Sequence, residues 1–98
     1  MKPVEVTTRV ETKLLQQSVK EIFKTVESVR RIFGCDCFTE ETRQEIKALD
    51  KFRYMLVFST TLDDLNGQIY ELYSEDPKMY SLISKFIKTQ LERSNADL

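Results

Sequence analysis

The sequence predicts an all-α fold: an antiparallel helical hairpin of two long helices and a shorter third helix, completed by association with another chain. Three observations carry this expectation. Apolar residues recur three and four apart through most of the chain, the spacing of one helix face. Only two Gly and two Pro occur in 98 residues, too few for the tight turns of an all-β domain. The strongest stop and start signals fall in two short clusters, residues 34–39 and 74–77, which divide the chain into three long segments of one helical domain spanning 1–98.

In the first segment Leu15, Val19, Ile22, Val26, Val29 and Phe33 are spaced as a heptad stripe, predicting helix over about residues 5–33. Leu14, Phe23 and Ile32 widen the stripe beyond a two-stranded seam, as in a helix with more than one neighbour. Gly34 follows as a C-cap, and Thr39 with Glu40 and Glu41 supplies the next N-cap and its acidic first turn.

The second segment predicts a helix over about residues 39–73. Its stripe starts on Ile46, Leu49, Phe52 and Leu56, then rotates to Met55, Phe58, Leu62, Leu65, Ile69 and Leu72. At the crossover Tyr54-Met55-Leu56-Val57-Phe58 is apolar on every side, as expected of a segment enclosed by several helices. Aromatic and β-branched residues over 53–61 and the Asn66-Gly67 pair also allow a short strand and hairpin turn. Helix is favoured because the three-four spacing continues across Asn66-Gly67 while alternation does not. Gly67 would then mark a bend or a close helix crossing, at a cost of about 1 kcal/mol relative to Ala.

Asp76 as cap and Pro77 at the first helical position start the third helix, predicted over about residues 77–93 with Met79, Leu82, Ile83, Phe86, Ile87 and Leu91 on one face. Residues 94–98 read as a frayed tail. Asp63 and Asp64 should fall level with Lys85 and Lys88 in the antiparallel pair, favouring that orientation with little effect on stability.

Composition narrows the function. Fifteen Lys and Arg against sixteen Asp and Glu leave a net charge of -1, unlike a general nucleic-acid binder, and His, the commonest general base and metal ligand, is absent. No signal peptide or spanning segment is legible, so an intracellular chain with reduced thiols is expected. Cys35-Asp36-Cys37 resembles a ligand pair, but nothing else in the chain completes a four-ligand site. Asp63 and Asp64 are adjacent on a helix and point apart, with no nucleophile motif beside them. No enzyme activity, cofactor, metal or small-molecule substrate is expected.

Lengths supply the functional hypothesis. Two helices of some 40 to 50 Å and a third of about 25 Å leave the hairpin tip uncovered. Ile22, Phe23, Val26, Val29, Ile32, Phe33, Phe38, Ile46 and Leu49 would form a broad apolar patch there, and a second copy or a helical partner subunit should bury it. A bend or a later start in the first helix would instead make these residues internal core. The expected role is therefore a non-catalytic interaction subunit or adaptor. The alternative is a small nucleic-acid-associated regulator using a basic ridge of Lys20, Lys24, Arg31, Arg43, Lys47 and Lys51, diluted by Glu40, Glu41, Glu45 and Asp50.

Overall fold

In a computed structural model of the chain, which describes residues 2–34 and 36–96, the first helix begins at Arg9 rather than residue 5. Local chemistry and a distant partner set this start. Thr8 accepts from the Glu11 N–H at 3.0 Å, and Glu11 accepts in return from the backbone of Thr7 and Thr8, a complete capping box. The Thr7 hydroxyl, donating at 2.7 Å, holds the Glu11 carboxyl below its ordinary pKa. The preceding residues stay out of the helix because their backbone pairs elsewhere. Asn66 accepts from the Val6 N–H at 2.8 Å and donates to the Val6 carbonyl at 2.9 Å, while the Val4 N–H donates to the Tyr80 hydroxyl at 2.9 Å. This strap seals Val6 into the core at 1% exposure.

Helix α1 (Arg9–Phe33) ends on Gly34, whose φ of 91° lies where a Cβ is strained and whose N–H donates to the Arg30 carbonyl at 2.8 Å. Thr39 then caps α2 (Glu40–Phe58), accepting from the Thr42 N–H. Both signals act as the sequence predicts.

The single helix expected over 39–73 is two helices, α2 and α3 (Leu62–Glu75), and no strand forms over 53–61 or elsewhere among the described residues. The break lies at residues 59–61, whose hydroxyls offer the backbone alternatives to helix. Thr61 accepts from the Asp64 N–H, and the Thr60 hydroxyl donates to the Asp64 carboxylate, lowering its pKa. Gln68 donates to the Ser59 hydroxyl at 2.8 Å, and Gln16 of α1 reaches the Leu56 carbonyl, one of the acceptors left open at the end of α2. Helix α3 passes through Gly67 without interruption, so Gly67 marks no break; a Cβ there would meet nothing within 4 Å, so it marks no close crossing within this chain either.

Asp76 closes α3 and opens α4 (Pro77–Ala96), donating its N–H to the Leu72 carbonyl and accepting from the Met79 N–H. Helix α4 runs three residues past its expected end, since neither Gly nor Pro stops it; residues 97 and 98 of the expected tail lie outside the described residues.

Four helices thus form two antiparallel hairpins, α1–α2 and α3–α4, and α4 packs against each of the other three. Val4 meets Tyr80 while Ile22 and Val26 share a crevice with Gln90 and Arg93, so α1 and α4 run in the same direction. Phe52 and Phe86 pack edge to face, 6.0 Å between centroids, where α4 crosses α2. Leu15, Val19, Leu65, Ile69, Ile83 and Ile87 complete the core, each with at most 1% exposure. The longest dimension is 39 Å, about the length of α1, because the break folds the second half of the expected long helix back. Asp63 and Asp64 form no ion pair with Lys85 or Lys88; among the described residues the ion pairs are Arg43–Asp36 and Arg53–Asp50.

Candidate interaction surface

The nine residues expected to form one open stripe at the hairpin tip meet three different surroundings. Helix α4, carried past the tip-side half of the hairpin by the break in the second segment, covers part of it. Val26 is buried, Ile22 lies half-buried in the α1–α4 crevice, and Leu49 is half-buried against Leu82 and Phe86. Val29 and Ile46 are half-buried, and Phe38 lies half-buried under the Arg30 guanidinium, 5.8 Å away. Phe23 packs on the core with the Arg53 guanidinium 4.5 Å above its ring. Only Ile32 and Phe33, at 72% and 71% exposure, stand open at the tip.

A second open apolar surface lies at the other end of α2. Met55 and Leu56 are buried, but Tyr54, Val57 and Phe58 are exposed, with Tyr54 and Phe58 stacked at 6.0 Å and 4°. The fully apolar run over 54–58 is therefore not enclosed, contrary to the sequence expectation. Its signal was ambiguous, since a helix that ends at Phe58 can hide only one of its faces. The helix start at Thr61-Leu62-Asp63-Asp64, a Ser/Thr cap with acids in the first turn, is the sequence feature that exposes this face.

Between α1 and α2 lies a groove of about 630 Å³, lined by Val19, Phe23, Leu56 and Val57 with Lys20, Lys24 and Arg53 at its sides. Gln16, reaching across to the Leu56 carbonyl, separates it from a smaller hollow beside Arg9, Lys13 and residues 59–62.

The six cations of the basic ridge do not share one surface. Lys20 and Lys24 line this groove, Arg43 pairs with Asp36 at 3.5 Å, and Lys51 lies in the α2–α3 crevice beside Glu71 and Glu75. The remaining two, Arg31 and Lys47, are exposed. Of the two cysteines, Cys37 is free and exposed, and Cys35 lies outside the described residues. No helix among the described residues is long and apolar enough to cross a membrane. The chain matches no family model, and no curated protein or solved structure is significantly similar to it.

Proposed function

We propose that this chain is a non-catalytic helical interaction subunit, or adaptor, that buries open apolar surface of its α1–α2 hairpin against a second copy or a helical partner. The observation that supports it is that one hairpin holds large apolar side chains open at both ends: Ile32 and Phe33 at the tip, Tyr54, Val57 and Phe58 at the other. Single exposed apolar residues are ordinary on soluble proteins; clusters held on rigid helices are the usual material of interfaces. The tip pair retains the role anticipated for the larger stripe.

Size exclusion with light scattering over a concentration series, together with affinity purification of partners, tests this reading. Paired substitutions Ile32→Ser with Phe33→Ser, and Tyr54→Ser with Phe58→Ser, should leave the melt nearly unchanged because the side chains are already solvated. At least one pair should abolish association that persists in about 0.5 M salt. A wild-type monomer at every concentration assigns the surface to a different subunit. Equal recovery of protein partners by wild type and both variants overturns the reading. Association that falls steeply with salt favours phosphate binding through Lys20, Lys24, Arg31, Arg43, Lys47 and Lys51 instead.

A further inference from the structure

We infer that the groove between α1 and α2 receives an acidic amphipathic helix of a partner protein, with its apolar face down. This rests on the reading of the chain as an interaction subunit and gives the partner its chemistry. The groove has an apolar floor and basic walls. Val19, Phe23, Leu56 and Val57 line it, and Leu56, Leu62 and Leu65 line the smaller hollow on the far side of Gln16. Along the wall, Arg9, Lys13, Lys20 and Lys24 follow one another at steps of four, seven and four, which places them on one side of α1. Glu27 is the only carboxylate lining the groove or the hollow.

Arg53 is committed to Asp50 at 2.5 Å and to the ring of Phe23, but among the described residues Arg9, Lys13, Lys20 and Lys24 form no ion pair. With an overall charge of -1, a row of cations along the groove is a local excess, whereas α3 carries Asp63, Asp64, Glu71 and Glu75 with no Lys or Arg. On α1 the groove runs from Gln16 to Glu27, about 17 Å, which fits about three turns of a partner helix. Helix grooves of this kind take an amphipathic helix through anchors on one face.

A second copy does not offer that helix. The acidic α3 has its own apolar face, Leu65 and Ile69, buried in the core. A nucleic-acid strand fits the floor poorly, since it is largely aliphatic. Tyr54 and Phe58, aromatic rings of the kind that stack on bases, stack on one another and do not line the groove.

The test uses the full chain and three probes: a synthetic helix of about 18 residues with Leu on one face and Glu on the other, its Lys-for-Glu counterpart, and a single-stranded oligonucleotide. The Glu peptide should bind and shift the backbone amide signals of Lys20, Phe23, Lys24 and Val57, while the Lys peptide should not. Lys20→Glu with Lys24→Glu should weaken Glu-peptide binding at least about tenfold and admit the Lys peptide. Val57→Asp should weaken it too, and Lys51→Glu, on the opposite crevice, should leave it unchanged. All these side chains are exposed, so matching melts confirm the variants are folded. No Glu-peptide binding, binding indifferent to the Lys20/Lys24 reversal, or tighter binding of the oligonucleotide at the same residues overturns the inference. If the groove fails while the Ile32/Phe33 or Tyr54/Phe58 pair still abolishes association, the interaction reading stands without it; if both fail, both fall.

Discussion

Leu15 and Phe33 lie on one stripe of α1, five turns apart, yet Leu15 has no exposed surface and Phe33 keeps 71% of its own. Around Leu15 the core closes from several directions: Phe52 and Met55 of α2, Leu65 and Ile69 of α3, Ile83 and Ile87 of α4, and Val6 of the strap. Helix α4 shares a crevice with Ile22 and Val26 of α1, and towards Phe33 the start of α2 accompanies α1, with Phe38 under Arg30. Helical periodicity thus tells which side of a helix faces neighbours; whether a neighbour is there depends on contacts made by residues far away in the chain. One end of this stripe is closed into the core and the other keeps Ile32 and Phe33 open.

The sharpest way to break this contrast is to delete one aromatic ring from each region. Phe52→Ala should cost about 3 to 5 kcal/mol, because it leaves a cavity among Leu15, Ile69 and the edge-packed Phe86. Phe33→Ala should change stability by less than about 0.5 kcal/mol. Urea unfolding of the two variants measures both, and comparable losses would show that the tip is core after all.

A smaller effect isolates the strap. Asn66→Ala removes both hydrogen bonds to the Val6 backbone and should cost about 1 to 3 kcal/mol. Hydrogen exchange should quicken at the Val6 amide and leave the amides near Phe33 unchanged. Equal quickening at both ends would mean that the two regions unfold as one.

The smallest effects have opposite signs and concern the two irregular points of the expected long helix. Thr61→Ala removes the α3 cap and should destabilise by about 1 kcal/mol. Gly67→Ala has open space for its methyl group and a helical backbone, and should stabilise by about 0.5 to 1 kcal/mol. Thermal melts of the pair check the signs; destabilisation by Gly67→Ala would reveal a neighbour at that face, supplied by association.

These two points also show what was legible in the sequence. The helical class, the turn after Gly34, the caps at Thr39 and Asp76, and the buried face of α4 follow from local chemistry that works without knowledge of the rest. The Asn66-Gly67 pair carries the stronger breaking signal and the helix ignores it, because Leu65 and Ile69 on either side are held in the core. Ser59-Thr60-Thr61 carries the weaker signal and the helix stops there; the rotation of the stripe between Phe52 and Leu62 was its trace. The strap was not legible at all. Val4 and Val6 are held out of the helix by Tyr80 and Asn66, and no periodicity within residues 2–8 encodes those partners. The candidate surface was misjudged in extent: Ile32 and Phe33 are open, Val26 is covered by a helix that the break at residues 59–61 redirects, and Tyr54, Val57 and Phe58 face outward.

The strap sets an order of events in the making of the molecule. Val6 is 60 residues from Asn66, and Val4 is 76 from Tyr80, so the strap has no dock until α3 and the start of α4 have followed it out of the ribosome. The α1–α2 hairpin can close from contacts nearby in the chain, but it waits with Leu15 and Val19 uncovered until Ile83 and Ile87 emerge. Nascent chains halted between residues 60 and 80 should therefore be the form most readily held by chaperones, and release of the final helix should end that dependence.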